Sequence, residues 1–450
     1  MVQINSPLSA ATDVRGISDG LYTLSSVTPF VKSSTSDFLK DSGASLGITV
    51  KSRDSLYQDR AKLLLDRRLL DDIKKRYRLR IYSQNLLSKT GTIAYKSQYY
   101  SCRRHKVKKV VILSRSASTG KGAVRNLAHC ASVWACPCCS PVIQHFRTQE
   151  IAYAVKQWFA ESQDNVTYFL TLTAPHTRDQ PLHYLLEKQK SALHIFWDSR
   201  LIKGSRYSKG CKEILGCLGR ITGTEITSGN PGDEKYSGWH PHQHILIFGK
   251  RISEKELDDV KKRMIDAWVH ALLKVGLCLD NPNAVQSATL HSLTLEQVTK
   301  AEKYISKLGN EIGESNIKSG RGNARYMPFD LLASAESGKE WAKSAWIEYY
   351  VCSKGKRQLV WSDGLKSRFR IKEHSDQELA DWKAEKDFQN LFGFENWEAI
   401  RKIPGIEPAL EYWIASGKED KILKLFNDLN IDLIFDKKIL DDYDEKPLGE

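Results

Sequence analysis

Three histidines within the segment 239–244 (WHPHQH) are the most specific chemical feature of the sequence. The apolar residues that follow predict a β-strand, in which alternate side chains share one face, so His242 and His244 can bind the same metal ion. A second strand-like segment, 219–227, precedes them and predicts a hairpin that brings the carboxylate of Glu225 to their level. Two histidines and one carboxylate leave coordination positions open, which suits a catalytic Mg²⁺ or Mn²⁺ that polarises a phosphate.

Two alternatives accompany this prediction. His176, at the end of the strand-like run FLTLTAPH, is a competing third ligand in place of Glu225, or a contact to a phosphate. The alternative for the histidine pair itself is a set of surface histidines on an edge strand.

A cluster of cysteines predicts a second metal site. Cys136 and Cys139 form a Cys-x-x-Cys pair, Cys130 lies six residues upstream, and either Cys102 or His105 completes the set. Structural zinc prefers four tetrahedral nitrogen or sulfur ligands, and a Cys-x-x-Cys turn presents two of them to one ion. Ordinary buried thiols are the alternative, and a further cysteine between the pair leaves the identity of the ligands open. Our preferred set of ligands for structural Zn²⁺ is Cys102, Cys130, Cys136 and Cys139.

A tyrosine among lysines is the third chemical feature. Apolar residues at three- and four-residue spacing predict a helix over 293–312, on which Lys300, Tyr304 and Lys307 form a separate polar stripe. Neighbouring ammonium groups favour the phenolate, and a tyrosine oxygen is a competent nucleophile at phosphorus. A half-buried packing role is the alternative for Tyr304.

The charge of the chain points to a polyanionic partner. Its 450 residues include 68 Lys and Arg against 54 Asp and Glu, a formal charge of +14. Between Arg60 and Arg125, 19 basic residues face three acidic ones, with tyrosines among them. Phosphates and stacked bases suit such a segment, so we predict DNA binding, with a solvated basic face as the alternative. The predicted DNA-binding residues are Lys74, Lys75, Arg76, Arg78, Arg80, Arg103, Arg104, Lys106, Lys108 and Lys109.

Other classes of protein are disfavoured. No apolar run approaches the roughly 20 residues that a membrane span needs, and the N-terminus lacks a signal pattern, so we expect a cytoplasmic protein without a membrane partner. The nine cysteines then belong in a reducing compartment. No phosphate-binding GxxxxGK[ST] loop is present, which argues against an NTP-driven motor.

Three motifs occur in a fixed order, FLTLT at 169–173, WHPHQHILIF at 239–248 and AEKYISK at 301–307. Together they resemble the rolling-circle replication initiators (Rep proteins) of bacterial plasmids, a branch of the His-hydrophobic-His (HUH) endonucleases. The resemblance covers roughly residues 100–368 and implies an α+β fold, in which a central antiparallel sheet carries the histidine strand and packs against helices on one side.

The resemblance also implies a mechanism. His242 and His244 are then metal ligands, Tyr304 is the nucleophile, and Lys307 is its neighbour in a Tyr-x-x-Lys motif. Tyr304 would nick origin DNA that is single-stranded or in a hairpin, leaving a 5′-phosphotyrosyl link and a 3′-hydroxyl. The implied partners are this origin DNA and host replication proteins, namely a polymerase and a helicase.

Two residues depart from the family pattern. Gln243 stands where an apolar residue is usual, which predicts a wetter strand face, and Lys300 stands where some members carry a glutamate used in termination. An HUH transposase or mobilisation relaxase is a close alternative, because these enzymes share the chemistry and differ in target DNA. A non-catalytic, zinc-containing DNA-binding regulator is the alternative from another class.

We expect four regions along the chain. They are a disordered arm (1–55), a basic DNA-binding region with the cysteine cluster (56–150), the HUH nicking domain (151–368) and an acidic helical subdomain (369–450). Within them, periodicity predicts helices at 57–80, 253–275 and 293–312, and strands at 166–173 and 244–248.

Overall fold

The computed structural model describes residues 53–117, 120–231, 238–299, 325–380 and 388–445. The arm expected at 1–55 lies almost wholly outside these ranges. From Gln58 onward the described residues form one unit that contains two main antiparallel sheets. Within the described ranges, no helix is both long and apolar enough to cross a membrane.

Strands and helices alternate irregularly along the chain, as expected of an α+β fold. The strands are β1 Val111–Ser116, β2 Gly122–Arg125, β3 Asn165–Leu172, β4 Gly204–Ser205, β5 Ser208–Lys209, β6 Gly219–Gly229, β7 Trp239–Lys250, β8 Leu293–Val298, β9 Arg325–Tyr326, β10 Leu359–Trp361 and β11 Phe388–Phe394. The helices are α1 Arg53–Lys89, α2 Gln98–Ser101, α3 Cys139–Glu161, α4 Leu182–Asp198, α5 Arg200–Lys203, α6 Cys211–Ile214, α7 Glu254–Val275, α8 Pro282–His291, α9 Pro328–Glu336, α10 Glu340–Ser353, α11 Leu365–Arg368, α12 Asp376–Ala380, α13 Trp397–Ile400, α14 Ile406–Ala415, α15 Glu419–Asp428 and α16 Lys437–Glu445.

The larger sheet has six strands and is antiparallel throughout. Five strands lie in the order β10-β6-β7-β3-β8, and β9 pairs with the end of β6. β6 and β7 form the predicted hairpin, and β3 and β7 confirm the strands predicted at 166–173 and 244–248. The histidine strand β7 is therefore internal, with β6 on one side and β3 on the other.

Helices cover both faces of this sheet. On one face, Tyr168 and Leu170 of β3 join the core that includes α4 and α7. On the other, Phe169 of β3 and Leu246 of β7 pack with Trp158 of α3. The expectation of helices on one side is wrong. These strands carry apolar side chains on both faces, and each apolar face is buried against helices.

Residues 293–298 form strand β8, not the first part of the predicted helix. Leu293 and Leu295 are buried while Thr294 and Glu296 are exposed, an alternation typical of a strand. Pairing with β3 completes the edge of the sheet. The rest of the predicted helix, from Lys300 onward, lies outside the described residues.

Helix α7 confirms the helix predicted at 253–275 and supports the sheet. Its start is a capping box, in which the side chains of Ser253 and Glu256 accept hydrogen bonds from each other's backbone N–H. Its end is Gly276, whose φ of 75° lies in the left-handed region that glycine adopts without strain. The buried indole of Trp268 donates a hydrogen bond of 2.8 Å to the carbonyl of Thr173, just beyond β3.

A smaller sheet joins two distant parts of the chain. β1 pairs with β2 on one side and with β11 on the other. Its core includes Val111 and Leu113 from the basic region together with Trp397, Leu410 and Phe426 from the C-terminal region. The C-terminal region expected to be helical thus contributes a strand as well as helices, because β1 needs a partner on its second edge.

Candidate functional site

The β6–β7 hairpin brings Glu225, His242 and His244 together. The register places Glu225 opposite His242, with His244 two residues further along β7. Glu225 Oε2 lies 2.5 Å from His242 Nε2 and 3.0 Å from His244 Nε2. The three ligand atoms all lie within 4.8 Å of one another, a spacing at which they could hold one metal ion.

The electrostatics of this group favour a charged carboxylate. Burial by itself would raise the pKa of Glu225, but hydrogen bonds from His242 and His244 outweigh burial and hold that pKa well below its usual range. His242 and His244 are only 9% and 6% exposed. A buried carboxylate is costly unless it is paired, and His242 and His244 provide that pairing for Glu225.

Neighbouring residues orient the imidazole of His244. Thr171 Oγ1 on β3 lies 3.3 Å from His244 Nδ1, and the ring stacks on Phe169 with centroids 5.5 Å apart. A partner on one ring nitrogen fixes the direction of the other, which is a common arrangement for histidines that bind metal. The Nε2 atom is thereby directed at Glu225.

Gln243 points to the opposite face of β7 and is 5% exposed. It accepts a hydrogen bond of 2.9 Å from Thr224 Oγ1 and donates one of 3.2 Å to Gln189 Oε1 on α4. Gln189 in turn donates to the carbonyl of Pro241. The prediction of a wetter face is wrong, because α4 covers Gln243 and its amide is satisfied within the protein.

His176 lies outside the ligand group, next to His240. The two ring centroids are 4.8 Å apart, and His240 lies 5.2 Å from His242. Burial, with the charge of Arg325 as the next cause, lowers the pKa of His240 to about 3. Strand alternation puts His240 on the same face as the ligands, but nothing in the sequence places Arg325 there.

The four cysteines of the preferred zinc set also come together. Cys102 Sγ lies 3.8 Å from Cys136 Sγ and 3.6 Å from Cys139 Sγ, and Cys130 Sγ lies 3.8 Å from Cys139 Sγ. Tetrahedral zinc with Zn–S bonds of about 2.3 Å requires sulfurs about 3.8 Å apart, whereas a disulfide requires about 2.05 Å. None of the four cysteines forms a disulfide. The distances between their sulfurs therefore fit four ligands of one zinc ion.

The alternative ligands, His105 and Cys138, lie outside this group of four cysteines. His105 is 53% exposed on its side chain and lies 3.6 Å from Glu398. Cys138 is buried outside the group, and burial raises the pKa of its thiol to about 12 despite the charges of Arg80 and Arg103. Cys102 is therefore the fourth member of the group.

The predicted DNA-binding residues divide by exposure. Those that are exposed or half-exposed are Lys74, Lys75, Arg76, Arg78, Arg104, Lys106, Lys108 and Lys109. Several of these are also engaged within the protein: Arg78 lies 2.9 Å from Glu336, and the guanidinium of Arg104 lies 4.3 Å from the ring centroid of Tyr100.

Arg80 and Arg103 are buried, at 1% and 8% exposed. Arg80 Nη2 lies 2.5 Å from Glu407 Oε2 on α14, and Arg80 Nη1 donates to the carbonyl of Cys102 at 3.3 Å. Arg103 lies 3.8 Å from Glu411 and donates to the hydroxyl of Tyr77. We therefore assign these two arginines to an internal network that ties α1 and the cysteine cluster to α14, in place of DNA contact.

Arg80→Met tests this assignment. We expect the free energy of unfolding to fall by about 3 kcal/mol, because removing Arg80 leaves the largely buried carboxylate of Glu407 without its ion-pair partner. Urea unfolding measures the loss, and the double variant Arg80→Met/Glu407→Leu recovers most of it. Unchanged stability with weaker DNA binding would return Arg80 to the DNA-binding surface.

Tyr304 and Lys307 lie outside the described residues, so their roles remain predictions from sequence. The described chain leaves the sheet at Val298 of β8 and resumes at Arg325 of β9.

Fold and site together define an α+β protein with two candidate metal sites. One has two histidines and one carboxylate on an antiparallel sheet, and the other has four cysteines. The chain is similar to Protein rep of Streptomyces lividans, with 26% identity over 314 residues. The match covers 57% of this chain and 66% of that relative, just under two thirds of its length. This similarity supports a Rep-type replication protein. Neither a protein-family profile nor a solved structure matches the chain.

Proposed function

We propose that the protein initiates plasmid replication by nicking and rejoining one strand of origin DNA through Tyr304. The observation that carries this proposal is the convergence of Glu225, His242 and His244 on an internal pair of strands. The similarity to Protein rep supports the replication role, and the order of the three sequence motifs supports the nicking chemistry.

Glu225, His242 and His244 fit a divalent cation. They offer one carboxylate oxygen and two imidazole nitrogens, and three protein ligands leave positions open for water or a phosphate oxygen. Carboxylate and water suit Mg²⁺ or Mn²⁺, which when bound would withdraw charge from the scissile phosphate. Thr171 and Phe169 keep His244 in its binding orientation.

Tyr304 supplies the nucleophile in this proposal. Its phenol oxygen forms a bond to phosphorus while the bond from phosphorus to the 3′ oxygen breaks. The phenol loses its proton, which Lys307 favours by stabilising the phenolate, and the leaving 3′ oxygen takes a proton up. The products are a 5′-phosphotyrosyl link and a 3′-hydroxyl that can prime a host polymerase, and the reverse reaction rejoins the ends.

The described residues on either side of Tyr304 belong to the sheet that carries the histidines. Val298 closes β8, which pairs with β3, and Arg325 opens β9, which pairs with β6. Both ends of the intervening segment are thus attached to the sheet that carries the histidines.

The remaining regions have proposed roles in recognising DNA. The exposed basic residues of α1 and of the segment after α2 would contact phosphates, next to a structural zinc ion held by the four cysteines.

Host helicase and polymerase are the proposed protein partners, and the cytoplasm is the proposed location.

Tyr304→Phe tests the proposed function. The full-length protein is incubated with labelled single-stranded origin DNA and Mg²⁺ or Mn²⁺, and the products are separated on a denaturing gel. We expect a covalent protein–DNA adduct from the wild type and none from Tyr304→Phe, because the phenol oxygen is the attacking atom. Tyr153→Phe, at a tyrosine that is 47% exposed on α3, is the matched control and should retain the adduct.

The other outcomes separate the alternatives. Cleavage by Tyr304→Phe would move the nucleophile to another residue. DNA binding without any cleavage would favour a zinc-containing regulator. An adduct formed only on the ends of a mobile element or on a transfer origin would favour a transposase or a relaxase.

A further inference from the structure

A two-residue turn between β4 and β5 presents an aromatic ring to solvent. The turn is formed by Arg206 and Tyr207, and the register pairs Ser205 with Ser208 on either side of it. Tyr207 is 89% exposed, more than any other large apolar side chain of the described residues. A ring this far from the core contributes little to packing and is accessible to a ligand.

The base of this hairpin is held firmly. A Cβ atom on Gly210 would lie 2.2 Å from the backbone nitrogen of Gly204, so the two strands approach at a point where only glycine fits. Ile202, just before the hairpin, is fully buried, and Arg263 of α7 donates a hydrogen bond of 3.2 Å to the carbonyl of Lys209. The exposed ring is therefore carried on a positioned support.

The hairpin and its flanks are basic. Residues 198–213 contain five Lys and Arg and two carboxylates. Both carboxylates are paired, Asp198 with Lys203 and Glu213 with Lys209. Arg206 has no ion-pair partner among the described residues, and its guanidinium lies 5.9 Å from the ring centroid of Tyr207.

Lys212 and one cation from outside this segment, Arg220, lie over the ring of Trp197 at the end of α4. The guanidinium of Arg220 lies 4.1 Å from the ring centroid of Trp197, and the ammonium of Lys212 lies 5.6 Å from the same ring. Burial, and then the charge of Arg220, lowers the pKa of Lys212. The hairpin that carries the exposed ring is thus flanked by residues with a net charge of +3, from five cations and two carboxylates.

We propose that Tyr207 stacks on an unpaired base of single-stranded DNA while Arg206 and the neighbouring cations contact its phosphates. The combination of a stacking ring and a positive surface matches a strand with exposed bases and a charged backbone. In a duplex the faces of the bases are already stacked, so insertion there costs unstacking energy. The biological meaning of this contact rests on the proposed function.

The hairpin is flanked by α5 and α6, which pack in the same core as α4 and α7, on the face of the sheet opposite to His242 and His244. It leads directly into α6, and the residue after α6, Leu215, accepts a hydrogen bond from the backbone of Lys250 at the end of β7. Six residues of strand separate Lys250 from His244, which corresponds to about 20 Å. Tyr207 therefore contacts DNA that flanks the nick, not the scissile phosphate.

Binding of a short fluorescein-labelled oligothymidine strand, followed by anisotropy, tests the inference with the full-length protein. We expect Tyr207→Ala to raise the Kd about 10-fold, the typical cost of losing one base–aromatic stack. Tyr207→Phe keeps the ring and should stay within about 2-fold of the wild type. Tyr153→Ala, at an exposed tyrosine on α3, should leave the Kd unchanged.

A second measurement addresses the charge. Arg206→Gln should reduce the slope of log affinity against log salt concentration by about 0.7, the value for one phosphate contact on a single strand. An unchanged slope would remove Arg206 from the contact, and the proposal as stated would fail.

Three results would overturn the stacking role: the same Kd for Tyr207→Ala as for the wild type, the same loss in Tyr207→Phe as in Tyr207→Ala, or no binding of single strands by the wild type. The inference and the proposed function fail separately. A Tyr207-dependent Kd without any covalent adduct would refute nicking only, whereas an adduct with a Tyr207-independent Kd would refute the hairpin contact only.

Discussion

His244→Ala will lose divalent-cation binding and nicking together. His244 contributes one of three ligand atoms, and its loss leaves Glu225 with a single imidazole. Loss of a group that merely orients a ligand costs 10- to 100-fold in metal affinity, so loss of the ligand itself should cost at least about 100-fold. Titration calorimetry with Mn²⁺ measures the affinity, and the covalent adduct on the denaturing gel measures the chemistry.

His270→Ala is the matched control for this prediction. His270 is an exposed histidine on α7, remote in sequence from the hairpin, and its removal should change neither measurement. Wild-type protein that binds no Mn²⁺ or Mg²⁺ would show that Glu225 serves only as a hydrogen-bond partner of the two histidines. Nicking that survives in His244→Ala would likewise exclude this centre from the reaction.

Cys136→Ser will release zinc and destabilise the fold. Cys136 is a buried member of the group of four sulfurs, next to the start of α3, where the backbone N–H of Cys139 also donates to its Sγ. A metal present at a thousand times its Kd stabilises the folded state by about 4 kcal/mol, so a comparable loss is expected without it. Metal analysis of the purified protein and urea unfolding provide the two measurements.

Cys138→Ser is the matched control, because Cys138 is buried in the same segment and lies outside the group of four. It should retain one zinc ion per chain. Zinc loss in Cys138→Ser with retention in Cys136→Ser would reverse the assignment of ligands. If the purified wild-type protein contains no zinc, the four cysteines are ordinary thiols and not a zinc site.

The local chemistry of the site could be predicted from sequence. His242 and His244 share a face because they are two residues apart on a strand, and the short connection to the preceding strand-like segment brings Glu225 to their level. Similarly, the Cys-x-x-Cys spacing predicts that Cys136 and Cys139 converge. In each case the relevant residues belong to one element or one hairpin, whose geometry is nearly constant.

Sequence periodicity was a poorer guide where two patterns overlap. Leu293 and Leu295 alternate as in a strand, but the apolar spacing from Val298 onward is helical, and the two merge into one apparent helix. Backbone pairing with β3 makes residues 293–298 a strand, β8, and not a helix. Such pairing depends on a strand more than a hundred residues away, which no local pattern contains.

The sequence by itself therefore determined which side chains carry the chemistry and how neighbours within one hairpin or turn are arranged. Tertiary structure decided between distant candidates: Cys102 and not His105 joins the other three cysteines, and Glu225 and not His176 joins the two histidines. It also placed Arg80 and Arg103 in the interior, against carboxylates of α14. The physical reason is that strand and turn geometry relates residues only over a few positions, whereas burial and ion pairing depend on which elements pack together.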